Sequence, residues 1–261
     1  MSKPKLTHFL CIPLLTPTST PQLRASLGHF RSKIANVRTA ENPDGVPSAA
    51  IRPLGTLHLT LGVMSLQTRE DLSFALDFLQ RVDLKSLLAK AFASEPSPAS
   101  HIEKKDKGKE TENSPMNEDT LPGLRLTIKG LQSMHNPATS SILYAPPTPS
   151  TPLESFCKSL KERFVQDGLL EPDNRPLLLH ATILNTIYVP GVRRGREAGH
   201  GKKSKSKLII NAKEILNDFE DFVWMEDVKI EKISMCRMRA EIVEDEELGK
   251  VYFEEGSRTM P

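Results

Sequence analysis

Two apolar stretches of the chain each place a histidine and a threonine two residues apart: Thr56-Leu57-His58-Leu59-Thr60-Leu61 and Leu179-His180-Ala181-Thr182-Ile183. Imidazole is the side chain that exchanges a proton near neutral pH, and a threonine hydroxyl both donates and accepts a hydrogen bond. In an extended strand, residues i and i+2 point to one face, about 6.7 Å apart. His58 and Thr60 therefore share a face, with Leu57, Leu59 and Leu61 on the other. His180 and Thr182 do likewise, opposite Leu179, Ala181 and Ile183. If the two strands meet at one cleft, the four groups suit phosphoryl chemistry: each ring passes a proton and each hydroxyl donates to a non-bridging oxygen.

Spacing alone is a weak signal, because a lone histidine in an apolar strand is ordinarily a hydrogen-bonded packing residue. The added weight comes from an internal repeat. HFLCIPLLTPTSTPQL, from His8, and SSILYAPPTPSTPLE, from Ser140, share the order strand, Pro-rich turn, Ser-Thr-Pro and amphipathic helix. Each is then followed by an apolar strand bearing the His-x-Thr. The other histidines, His8, His29, His101, His135 and His200, have no such partner.

The elements that must position these groups are mixed. After Thr20-Pro21, the residues Leu23, Leu27, Phe30 and Ile34 fall on one helical face. Thr68 and Asp71 are spaced as a capping box ahead of the stripe Leu72, Ala75, Leu76, Leu79. A third helix starts at Thr151-Pro152 with Glu154 in the capping-box position, and Leu153, Phe156, Cys157, Leu160 and Phe164 line one side. Alternation and β-branched content predict strands at 7–12, 56–64, 124–131, 141–146, 178–188, 227–238 and 250–254. Together they predict one α+β domain over 1–261, made of two pseudo-symmetric lobes of antiparallel sheet backed by helices.

Two stretches stand apart. Residues 93–121 hold almost nothing apolar and read as a disordered insert. Residues 191–207 carry seven Lys or Arg against one Glu, with four glycines, and read as a flexible basic loop. Its Arg193, Arg194, Arg196, Lys202 and Lys203, with Lys205 and Lys207, are candidates for drawing in a polyanion. The single tryptophan, Trp224, leaves little for base stacking.

Composition narrows the classes further. The chain has 261 residues, 38% hydrophobic and 26% charged, with a net charge of +2, which fits a soluble globular protein whose anion attraction must come from local clusters. No apolar run approaches the roughly 18 residues of a membrane span. The N-terminal apolar stretch is too short for a signal peptide, so a nuclear or cytoplasmic location is expected. Cys11, Cys157 and Cys236 fit buried free thiols rather than a disulfide framework or a CxxC metal site. Neither His-x-Thr strand holds an Asp, Glu or Cys as a third metal ligand, and no Gly-x-Ser-x-Gly elbow is present. No metal and no cofactor is expected.

With their surroundings, Pro53-Leu54-Gly55-Thr56-Leu57-His58-Leu59-Thr60-Leu61 and Leu179-His180-Ala181-Thr182-Ile183-Leu184-Asn185-Thr186, the paired motifs resemble the 2H phosphoesterase superfamily. More narrowly the chain resembles the A-kinase anchoring protein 7-like phosphoesterase domain, of the kind carried by activating signal cointegrator 1 complex subunit 1 in a fungal-type form. Phe219-Glu220-Asp221-Phe222 and the stretch Val228-Lys229-Ile230-Glu231-Lys232-Ile233 add to the likeness. The residues ahead of Thr7 lack the Gly-x-x-Gly loop of the RNA-binding KH domain found in that subunit. The resemblance implies the RNA ligase/cyclic phosphodiesterase-like fold, with His58 and His180 as the acid-base pair and Thr60 and Thr182 on the phosphate. It implies a metal-independent phosphodiesterase acting on RNA or nucleotide ends with a 2′,3′-cyclic phosphate or a 2′-5′ linkage. A non-catalytic subunit of a transcription coactivator or nucleic-acid repair assembly is the alternative, with helicase or coactivator complex subunits as partners. The insert and the acidic stretch 241–247 suit partner contacts.

Overall fold

The two copies of the repeat fold as matching strand–helix–strand units. In the first, β1 (His8–Pro13) leads into α1 (Ser19–Ile34) and returns as β2 (His58–Met64). The second copy follows helices α2 (Arg69–Arg81) and α3 (Leu84–Ala93) and strands β3 (Arg125–Lys129) and β4 (Gln132–Ser133). It comprises β5 (Ile142–Ala145), α4 (Thr151–Gln166) and β6 (Ala181–Asn185). Helix α5 (Lys213–Asp218) precedes β7 (Val223–Lys229), β8 (Lys232–Arg237), β9 (Glu241–Ile242), β10 (Lys250–Val251) and β11 (Glu254–Thr259). This computed structural model describes residues 4–35, 37–38, 43, 45–94, 121–173, 175–190 and 208–261. Nearly all of the expected insert 93–121, and all of the basic segment 191–207, lie outside the described residues.

An antiparallel seven-stranded sheet runs in the order β11-β8-β1-β2-β6-β5-β4, so the repeats meet at β2 and β6 in its middle. They join at one registered pair, Leu59 opposite Ala181. One face of the sheet is covered by helices. Leu57, Leu59 and Leu61 from the β2 segment and Ala181 and Ile183 from β6 pack there with Leu23, Leu27, Phe30 and Ile34 of α1 and Phe156, Leu160 and Phe164 of α4. Among the described residues, the other face carries a small apolar cluster of Phe9, Cys11 and Cys236, edged by Val63, Met238 and Tyr252.

Both central strands bulge just past their threonine. Leu10 and Cys11 pair with Gly62 and Thr60, leaving Leu61 extra; Leu143 and Tyr144 pair with Leu184 and Thr182, leaving Ile183 extra. Such a bulge turns two consecutive side chains towards one side. The core takes Leu61, and beside it an added Cβ at Gly62 would meet Leu170 at 2.7 Å. The core likewise takes both Ile183 and Leu184.

Some expectations are corrected. The α2 capping box forms, with Thr68 accepting from the Asp71 N–H. That at α4 does not: Thr151 is already inside the helix, the N-cap is Ser150, and no side chain caps it. The single strand expected over 227–238 is two strands in different sheets, with β7 pairing β3. The slip in alternation between Ile230 and Ile233 marks where the chain changes sheets. Helix α3, capped by Asp83, was not anticipated, and it packs on α4.

A β9–β10 hairpin follows β8, with β10 laid against the turn Leu54–Thr56. Gly55 permits that approach: its N–H donates to Leu248 O at 3.1 Å, and an added Cβ would sit 2.5 Å from the Lys250 carbonyl oxygen. Gly55→Ala is therefore expected to push the hairpin away and lower the unfolding free energy by about 1–3 kcal/mol, as measured by chemical denaturation.

Candidate active site

The register at the junction assembles the four sequence-predicted groups. In an antiparallel pair, residues one step either side of an opposed couple are opposed in turn. Leu59 opposite Ala181 thus sets His58 against Thr182 and Thr60 against His180. Directly opposed residues lie about 4.5–5.5 Å apart between Cα atoms, and diagonal ones about 7–8 Å apart. The two histidines form one diagonal of this square and the two threonines the other. Because Leu59 and Ala181 face the helix-packed core, all four groups project to the open face.

The two imidazoles are held by the same device. His58 Nδ1 lies 2.8 Å from the carbonyl oxygen of Thr56, and His180 Nδ1 lies 2.8 Å from that of Leu178, each two residues back. A carbonyl only accepts, so Nδ1 carries the hydrogen and donates it, and the neutral ring keeps Nε2 as its free lone pair. No described group claims Nε2 of either ring. Each histidine is thereby prepared to take a proton on Nε2 or, once protonated, to give one up.

The surroundings differ between the two sides. The His58 ring lies 4.8 Å from Phe9 and 5.2 Å, edge to face, from Tyr252, whereas His180 has Tyr144 at 5.4 Å. Burial pushes His58 down from 6.5 to about 4. The Nδ1 bond to Thr56 opposes this, and the Arg52 charge and His180 add to it. His58 is therefore a neutral imidazole at pH 7. Tyr144, opposite Thr182, donates its hydroxyl to Gln132 Oε1 at 2.7 Å, and burial raises its phenol. Burial also pushes Tyr252 up to about 12 against the lowering effect of Arg52, with a hydroxyl bond to Tyr188 adding to the rise.

Phe9, Arg52, Tyr144, Tyr188 and Tyr252 escaped the sequence reading of the site. Arg52 alone left a local signal, a charged residue inside the apolar run Ala50-Ile51-Arg52-Pro53-Leu54. The basic candidates Arg193, Arg194, Arg196, Lys202 and Lys203 lie outside the described residues. Trp224 is a core residue whose indole N–H donates to Gly130 O at 2.8 Å. His8 opens β1, and His29 in α1 stacks on Phe222. All three cysteines are buried and free, with Cys11 opposite Thr60. Among the described residues no three His, Cys, Asp or Glu side chains converge as metal ligands would. No helix among them is long and apolar enough to cross a membrane. A groove of about 820 Å³, lined in part by Pro146, Lys158, Lys161, Leu178 and Leu179, runs beside the His180 strand rather than over the histidine pair.

Comparison with known proteins bears on the chain as a whole. The family model for the AKAP7 2′5′ RNA ligase-like domain matches residues 6–252. The uncharacterized protein C15D4.13c of Schizosaccharomyces pombe is 24% identical over 243 residues, covering 93% of this chain and 91% of the relative. Among solved structures, a crystal structure titled simply phosphoesterase is 16% identical with a TM-score of 0.47, covering 99% of each chain. E. coli LigT in complex with 3′-AMP is 17% identical with a TM-score of 0.46, covering 98% of each.

The depressed His58 value ties the site to stability. Between about pH 4 and 6.5 the unfolded chain binds a proton at this residue that the folded protein refuses. This contribution to stability is complete above pH 6.5 and is lost as the pH falls towards 4. In a histidine-resolved NMR titration, His58 is expected to titrate near pH 4. His58→Asn should flatten the decline in denaturation midpoint between pH 6.5 and 4 relative to the wild type.

Proposed function

The chain belongs to the AKAP7 2′5′ RNA ligase-like domain family of the 2H phosphoesterase superfamily, and from that premise we propose that it cleaves nucleotide phosphodiesters with a 2′,3′-cyclic phosphate or 2′-5′ linkage. The observation that carries this reading is the matched pair of Nδ1-to-carbonyl bonds, which leaves two free Nε2 atoms on one sheet face. Thr60 and Thr182, each opposite a histidine, donate their hydroxyls to the non-bridging oxygens of the bound phosphate.

The burial of His58 supports a division of roles in this reading. His58, neutral at pH 7, takes a proton from water through Nε2 as the water oxygen attacks phosphorus. His180, the other ring, gives a proton from Nε2 to the departing ribose oxygen. The new phosphorus–oxygen bond replaces the broken one, leaving a phosphomonoester and a free hydroxyl. The proton taken by His58 and the one given by His180 then exchange through solvent to restore the starting pair. A bound phosphate anion favours imidazolium at both rings, so the low His58 value of the free protein rises in the complex.

Support for a nucleic-acid substrate also comes from the basic residues Arg193, Arg194, Arg196, Lys202 and Lys203, whose charge would draw in a polyanion. A nuclear or cytoplasmic site of action fits such a substrate.

Turnover of nucleoside 2′,3′-cyclic phosphates tests the reading. His58→Ala and His180→Ala should each lower kcat by roughly 10²- to 10⁴-fold, and wild-type rates in either purified variant would remove that residue from the mechanism. The acidic limb of kcat/KM is expected near pH 4, where His58 of the free protein gains its proton, and not near 6.5.

A further inference from the structure

Arg52 is a cation held inside the protein with no carboxylate partner among the described residues. Its residue is 5% exposed, and none of the ion pairs among the described residues includes it. Burying a guanidinium unpaired is costly, so such a group is compensated locally or awaits an anion. The local compensation is uncharged. Nη2 donates to the Tyr252 hydroxyl at 3.1 Å, and Cζ lies 4.0 Å from the centre of the Tyr188 ring. Tyr252, raised to about 12, is a neutral phenol at pH 7.

Backbone pairing fixes which way Arg52 faces. Its N–H donates to Ile183 O at 2.8 Å, and Ile51 bridges Leu184, so residues 51–52 run alongside β6 where β2 has left it. Ile51 packs in the helix-covered core, which turns Arg52 to the open face that carries Thr182 and His58. Arg52 thus lies outside the four-residue square, beyond Thr182 along β6. The reacting phosphate already has a threonine hydroxyl on each strand.

We propose that Arg52, framed by Tyr188 and Tyr252, is a subsite for a second phosphate of the substrate, one nucleoside away from the reacting phosphorus. This rests on the reading of His58, Thr60, His180 and Thr182 as the reaction centre. A guanidinium presents paired donors that match a phosphate edge, and one fixed by a tyrosine hydroxyl and an aromatic face loses little freedom on binding. The substrate class is then a nucleotide with two phosphates, and a cyclic phosphate with no second phosphate is a poorer substrate.

The test compares three substrates on the full chain: a nucleoside 2′,3′-cyclic phosphate, the same nucleoside carrying a 5′-phosphate, and a dinucleotide ending in the cyclic phosphate. The quantity read is the ratio of kcat/KM for each two-phosphate substrate to that for the first, in which any effect of Arg52 on His58 cancels. The wild type should favour a two-phosphate substrate by about 10- to 10²-fold. Arg52→Gln should bring the ratio to about one, and Arg52→Lys should keep part of it. Preference for the dinucleotide alone marks a chain phosphate and preference for the 5′-phosphate alone a terminal one; either upholds the subsite. A wild-type ratio near one overturns it without any variant, and so does a ratio that survives in folded Arg52→Gln. If the wild type turns over none of the three, the reaction reading fails. The subsite is then judged by the same ratios taken from calorimetric dissociation constants.

Discussion

Everything at the site depends on one backbone register, Leu59 against Ala181. Side chains alternate along a strand, so a slip of one residue in either central strand would carry its histidine and threonine through the sheet into the helix-packed layer. The register is held because that slip would also drag Leu57, Leu59 and Leu61, or Leu179, Ala181 and Ile183, out of the core they fill. The hydrophobic effect thus positions the polar groups by fixing the apolar ones between them. The bulges after Thr60 and Thr182 confine the regular alternation to the His-x-Thr segment and then return the next two residues to the core.

Pseudo-symmetry supplies two equivalent imidazoles, and the surroundings make them unequal. Both rings have the same Nδ1 bond to a carbonyl two residues back, so tautomer and orientation are shared. The first repeat then places Phe9 and the Arg52 charge about His58, and the C-terminal segment adds Tyr252, while the second repeat places Tyr144 against His180. A symmetric backbone with asymmetric packing makes His58 the more enclosed ring without altering the Nδ1 bond of either.

The two faces of the sheet carry different side chains. One side carries the main core against α1 and α4; the other carries a small apolar cluster, the histidines and the threonines. Tyr252 joins that cluster to the polar groups, since it packs at the cluster's edge, touches His58 and accepts from Arg52. It lies in the short link between β10 and β11, directly after the hairpin whose seat on Leu54–Thr56 requires the bare backbone of Gly55.

Much of this was written in local pattern. The apolar residues flanking His58 and His180, the stripes on α1 and α4 and the Thr68–Asp71 box are short-range features, legible because each depends on neighbours within a few residues. The duplicated strand–helix–strand order was legible for the same reason, and with it the expectation that two His-x-Thr pairs meet. Tertiary structure alone decided that the halves join through a single opposed pair, that His58 is the more enclosed ring, and that Arg52, Tyr188 and Tyr252 gather beside it. Those residues lie as much as 200 positions apart. Their meeting depends on how the C-terminal strands lie across β1 and the Leu54–Thr56 turn, a long-range packing outcome with no local period to announce it.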